Sequence, residues 1–171
     1  YDEAAYISKK FENENIALLK GWPVLTAAVK IPDKEDLNSN LEKMRQLGSE
    51  MHDMLARENA TFTRIYDLKK NDALTLAFLE GLMLSMYSFQ KYKSERKEQH
   101  LQVLELYSES ISDEQINELR NVCRAVFIAR DMVNEPLITL TAEELAHRTI
   151  ELGREKGFQV TVFDKNKITE L

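Results

Sequence analysis

Arg124-Ala-Val-Phe-Ile-Ala-Arg-Asp-Met-Val-Asn-Glu-Pro136-Leu-Ile-Thr-Leu-Thr-Ala-Glu-Glu144 is a helix end, a hard stop and a helix start. Leading into it, Ile116, Leu119, Cys123, Val126, Phe127 and Val133 recur at helical spacing, so one helix face is apolar. Pro136 has no amide hydrogen to continue the helix and biases Glu135 toward an extended backbone. Asn134 tolerates the left-handed geometry that often closes a helix. Thr141 and Glu144 form a Thr-x-x-Glu capping box, which predicts a second helix. The stretch therefore reads as a joint between two packed units, with Arg130, Asp131, Asn134, Glu135 and Pro136 as its structural residues.

The joint carries a resemblance. Ala129-Arg-Asp-Met-Val-Asn-Glu-Pro136, followed by Leu140-Thr-Ala-Glu-Glu-Leu-Ala146, resembles the junction of the leucyl (cytosol) aminopeptidase family. Upstream, Ala77-Phe-Leu-Glu-Gly-Leu-Met-Leu84 and Tyr87-Ser-Phe-Gln-Lys-Tyr-Lys-Ser94 are similar to a second segment of that family, in the right order. The likeness runs from about Lys34 to Leu171. It departs after Pro136, where the family has Pro-x-Asn and this chain has Leu137-Ile138-Thr139.

Outward from the joint, the pattern alternates. Tyr1–Asn13 suits a short helix. Ile16–Leu19 and Val24–Ile31, separated by Gly21-Trp22-Pro23, suit a hairpin with Pro23 near a strand start. Pro32-Asp33 opens a long helix whose Leu37, Leu41, Met44, Gly48, Met51 and Leu55 follow four-three-four-three-four spacing. A coiled-coil seam would show this stripe too, but it spans under three heptads, and a helix packed on a sheet is the better reading. His52 lies beside the stripe with no partner at metal spacing, as a helix-edge histidine would.

Thr61–Leu68 reads as a strand with Phe62, Ile65 or Tyr66, and Leu68 partly buried. Asn71-Asp72 caps a helix apolar nearly all round, from Ala73 to Met86, which predicts burial. Gly81 in its middle gives up ~1 kcal/mol of helix propensity against Ala, which close packing on another backbone would explain. Leu101–Tyr107 is a predicted strand, and Ser112-Asp-Glu-Gln115 a capping box. After the joint come a helix over Thr141–Lys156, closed by Gly157, a strand over Phe158–Phe163 and the start of a short helix from Asp164. Leu145, Ala146, Thr149, Ile150 and Leu152 share one side of the Thr141–Lys156 helix.

Strands alternating with helices imply an α/β fold: a twisted mixed sheet with helices on both faces. The resemblance implies a three-layer, macro-domain-like unit, followed by a linker helix and an orphan strand. Residues 1–136 would be the N-terminal non-catalytic domain. Residues 137–171 would be the joint and the first helix–strand elements of a truncated peptidase domain.

With 171 residues the chain suits one domain, or one domain and part of another. Hydrophobic residues at 43% and charged residues at 30% are those of a soluble globular chain. A net charge of −6 argues against a broad nucleic-acid or anionic-membrane surface. Lys91, Lys93, Arg96 and Lys97 are interleaved with Glu95 and Glu98, so this loop reads as solvated rather than as a phosphate site. No apolar run is long enough to span a bilayer. The single cysteine, Cys123, allows no internal disulfide and sits on an apolar helix face, where core packing is its role. A chain that opens on Tyr1 rather than Met leads us to expect native sequence ahead of it.

The sequence carries no His-Glu-x-x-His, no Gly-x-Ser-x-Gly, and with 5 glycines little room for a phosphate loop. No catalytic and no metal-ligating residue is therefore assigned in this chain. What the resemblance implies for the parent is a di-metal exopeptidase that removes N-terminal residues from peptides. Two divalent ions, Zn or Mn, would polarise the scissile carbonyl and activate a water. It also implies a cytoplasmic homo-oligomer, possibly a hexamer, in which this part packs against its own catalytic domain and sister subunits. On that reading the chain itself is inactive. The alternative is a stand-alone macro-like binding or interaction module without peptidase activity.

Overall fold

The computed structural model describes residues 2–20, 25–32, 36–95 and 100–170. The order is α1 (Glu3–Lys10), β1 (Ile16–Lys20), β2 (Leu25–Val29), α2 (Leu37–Arg57), β3 (Phe62–Tyr66), α3 (Asp72–Ser85), β4 (Val103–Tyr107), α4 (Asp113–Asn134), α5 (Ala142–Lys156) and α6 (Lys165–Thr169). The chain divides into two compact units, Tyr1–Phe127 and Ile128–Leu171, and the division falls inside α4.

In the first unit, β1 and β2 form an antiparallel hairpin in the register Ile16↔Val29 to Lys20↔Leu25. The predicted Gly21-Trp22-Pro23 punctuation lies outside the described residues. The Tyr6 hydroxyl of α1 donates to the Leu18 carbonyl at 3.3 Å, tying the first helix to the hairpin. β3 and β4 pair in parallel, Phe62↔Val103 to Tyr66↔Tyr107, with α3 as the crossover.

Here the structure corrects the expected layers. Among the described residues there are two two-stranded sheets in place of one mixed sheet. Alternation marks a segment as a strand but does not choose its ladder partner, which non-local backbone hydrogen bonds decide. The outer face of the parallel pair is also open, with Phe62, Tyr66, Val103 and Tyr107 between 44% and 58% exposed. Thr63 and Ile65 point to the more covered side, so Ile65 rather than Phe62 or Tyr66 joins the core. Leu68 lies beyond the strand and is 86% exposed.

The core is built on α2 and α3. Met44, Leu47, Met51 and Leu55 from α2 meet Leu74, Ala77, Phe78 and Leu82 from α3, joined by Ile16 and Leu101. Ala27, Val29, Ile65 and Leu104 pack on this cluster from the two sheets. The stripe read from the sequence holds at Met44, Gly48, Met51 and Leu55, whereas Leu37 is exposed. The cap of α2 is Asp36, whose carboxylate accepts from the Ser39 amide at 2.8 Å. Asp33, the expected helix opening, lies outside the described residues.

Gly48 and Gly81 set how closely these helices approach. A Cβ on Gly81 would strike the carbonyl of Arg45, and a Cβ on Gly48 the carbonyl of Phe78. The helix-weakening glycine is thus retained because a backbone occupies the place of its side chain. At the crossing, Arg45 Nε donates to Glu80 Oε2 at 2.7 Å.

The second unit contains the last turns of α4, then α5 and α6. Its one buried residue among those described is Gly153, while Leu137, Ile138, Leu145, Phe158, Val162, Phe163 and Ile168 are exposed. The expected strand over Phe158–Phe163 forms no ladder among the described residues. Its clean alternation has no neighbouring strand to bond, and an isolated strand leaves its backbone groups to solvent.

Candidate functional site

The joint singled out in the sequence is a built corner. α4 starts from a reciprocal capping box, in which the Ser112 amide donates to Gln115 Oε1 at 2.9 Å and the Gln115 amide to Ser112 Oγ at 3.3 Å. Along its length Cys123 is only 1% exposed, and Tyr87 packs its ring on Phe127 at 5.4 Å. The helix runs through Asn134.

Asn134 does not take the left-handed conformation. The non-glycine residues with positive φ among those described are Asn59 and Lys70. Instead the Asn134 side-chain amide donates to the Arg130 carbonyl at 2.8 Å, inside the last turn. Arg130 lies one turn inside α4, so the side chain reinforces the last turn rather than capping an end carbonyl. Of the other expected joint residues, Arg130 is half-buried and Asp131 is exposed.

Pro136 then makes the turn. Its carbonyl accepts from both the Thr139 amide at 2.8 Å and the Leu140 amide at 2.9 Å. Leu137 and Ile138, at the tip, are 84% and 91% exposed. Thr141 Oγ1 accepts from the Glu144 amide at 3.2 Å and starts α5. At the other end of α5, Gly157 adopts φ 78° and its amide donates to the Gly153 carbonyl at 2.9 Å.

Electrostatics close the corner. Arg148 Nε donates to Glu144 Oε1 at 2.7 Å, and Nη1 donates to Glu135 Oε1 at 3.4 Å. The Glu135 side chain is only 3% exposed, against 40% for Glu144. The hydrogen bond to Glu144, and after it the one to Glu135, raises the already high pKa of Arg148. A guanidinium is protonated at physiological pH and does not serve as a base. Sequence reasoning missed Arg148. Its i, i+4 spacing from Glu144 was a usable signal, but its meeting with Glu135 across the Pro136 turn was not.

Among the described residues, no three His, Cys, Asp or Glu side chains converge as a metal site requires. His147 and Glu151 pair along one helix face at 3.9 Å, and His52 Nδ1 lies 3.3 Å from Asp53. Lys91, Lys93 and Glu95 are exposed, and Lys91 Nζ stands 5.4 Å from the Tyr92 ring centroid. Arg96, Lys97 and Glu98 lie outside the described residues. No described helix is long and apolar enough to cross a membrane.

A mixed α/β unit with small sheets, a helix-stop-helix joint and no converging metal ligands among its described residues has the fold found in leucine aminopeptidases. A tomato leucine aminopeptidase mutant superposes with a TM-score of 0.79 at 16% identity, over 99% of this chain and 36% of that one. The bottromycin maturation enzyme BotP, in complex with Mn, superposes with a TM-score of 0.73 at 20% identity, over 98% of this chain and 36% of that one. No family model matches the chain.

By sequence the chain is a relative of the cytosol aminopeptidases. It is 38% identical over 102 residues to a probable cytosol aminopeptidase of Clostridium perfringens, covering 56% of this chain and 21% of that protein. Over a shorter stretch of 43 residues it is 60% identical to a probable cytosol aminopeptidase of Chlorobaculum parvum, covering 25% of this chain and 8% of that protein. The chain thus spans about a fifth of the length of the first of these relatives.

Proposed function

We propose that this chain is the N-terminal accessory domain and inter-domain joint of a leucyl-aminopeptidase-like exopeptidase. The observation that carries this reading is the 38% identity to a cytosol aminopeptidase over a segment equal to 21% of that protein. Residues 1–136 form the accessory domain. Residues 137–171 form the joint and the opening elements of a peptidase domain. The exposed Leu137, Ile138, Phe158 and Phe163 support this, because apolar side chains of that size belong in a core larger than the second unit supplies.

The parent removes N-terminal residues from peptides in the cytoplasm with two divalent ions, and the Mn complex of a structural neighbour agrees with such a requirement. Those ions would be held outside this chain. The roles left to it are packing against the catalytic domain, contacts between sister subunits, and control of access to the active site. The test is hydrolysis of leucyl p-nitroanilide by the purified chain with Mn or Zn present. No turnover above the metal blank is expected. Turnover that titrates with the chain would overturn the accessory reading.

A further inference from the structure

We propose that Arg148 is a latch, whose guanidinium fixes the direction in which α5 leaves the Pro136 turn by holding Glu135, while Glu144, on the same helix, only steadies the guanidinium. The proposal rests on the reading of this stretch as a joint, and it assigns the joint a residue outside the Arg130–Pro136 signature. The two carboxylates are not equivalent. Glu144 is 40% exposed and one helical turn from Arg148, so that pair is an ordinary surface contact. Glu135 sits beyond the end of α4, and its side chain is 3% exposed. A carboxylate withdrawn from water requires a cation or strong donors, and the guanidinium at 3.4 Å is one of the partners that supply them.

The Glu135–Arg148 contact therefore joins the residue following α4 to the second turn of α5 and encloses the Pro136 turn between them. The ends of both helices carry hydrogen bonds that do not involve it. Asn134 bonds back to Arg130, while Thr141 and Gly157 cap α5. Loss of the latch should free the angle between the helices without melting either. Two different nitrogens, Nε and Nη1, reach the two carboxylates, a geometry that the single ammonium of lysine does not reproduce.

The experiment places spin labels on exposed positions of the two helices, Ala129→Cys and Arg154→Cys, in the full chain. Cys123, 1% exposed, stays unlabelled. The parent chain should give one narrow distance distribution. Arg148→Met should broaden it at least twofold with unchanged helix content by circular dichroism. Arg148→Lys should broaden it as well, and Glu144→Gln should leave it narrow. Should Arg148→Met lose helix content, Arg148→Lys decides the matter. A narrow distribution in the Arg148 variants, or equal broadening by Glu144→Gln, overturns the latch. Neither result bears on the accessory reading, which the leucyl p-nitroanilide assay tests separately.

Discussion

Gly48 of α2 and Gly81 of α3 lie where the two helix backbones cross. A methyl group on Gly48 would stand 2.7 Å from the Leu82 amide nitrogen, and one on Gly81 2.6 Å from the Arg45 carbonyl carbon. Both obstacles are backbone atoms inside helices, which cannot rotate away as a side chain can. Alanine at either site gains ~1 kcal/mol of helix propensity. Forcing the helices apart typically costs about 1–3 kcal/mol and also loosens Leu47, Phe78 and Leu82 in the core. Gly48→Ala and Gly81→Ala should therefore each lower stability by about 1 kcal/mol in urea unfolding. A stabilised Gly81→Ala would show that the helices do not approach this closely.

Cys123 offers a chemical report on the same unit. At 1% exposure its thiol should react with Ellman's reagent only as fast as the protein opens. Urea should raise the rate in step with unfolding. Cys123→Ala removes a buried sulfur and should destabilise by about 1–2 kcal/mol. Fast stoichiometric labelling under native conditions would contradict its burial.

Asp36 gives a prediction in pH. Hydrogen bonds from the Ser39 side chain and then the Ser39 backbone hold its carboxyl below the ordinary 3.8. A carboxylate with a depressed pKa contributes to stability above its unfolded value and loses that contribution as the pH falls through the folded one. The window is therefore below 3.8, and nothing should change near neutrality. Ser39→Ala should raise the Asp36 pKa toward 3.8 in a carboxyl NMR titration. A wild-type value at or above 3.8 would remove the cap at the start of α2.

Leu137 and Ile138 at the tip of the Pro136 turn are 84% and 91% exposed. Serine at both positions should change unfolding free energy by less than about 0.5 kcal/mol, as surface substitutions do. It should also reduce binding of an apolar dye. A loss of several kcal/mol would mean that these side chains are covered in solution.

Much of this was legible without the fold. Ser112-Asp-Glu-Gln115, Asn71-Asp72, Thr141 and Gly157 marked helix ends through hydrogen bonds that close within three or four residues, and such bonds depend on little beyond the local chain. The apolar stripe of α2 and the all-round apolarity of α3 foretold which helices are central. Gly81 foretold a close backbone, since a glycine there weakens the helix unless something takes the space.

What local pattern could not fix was every relationship between distant segments. Phe158–Phe163 alternates as a strand should, but no ladder forms there, because strand pairing needs a second backbone that alternation does not supply. Phe62 and Tyr66 turned outward and Ile65 inward, since the face of β3 is set by its register with β4. Asn134 bonded back to the Arg130 carbonyl through its side chain and took no left-handed backbone. Glu135 and Arg148 lie thirteen positions apart with a proline turn between them. Sequence by itself determined where most helices lie and the caps at Asn71, Ser112, Thr141 and Gly157, because those rest on short-range hydrogen bonds and periodicity. Only the tertiary structure decided which strands pair, which faces stay open and which carboxylate the guanidinium holds, because those depend on contacts the chain makes only after it has folded back on itself.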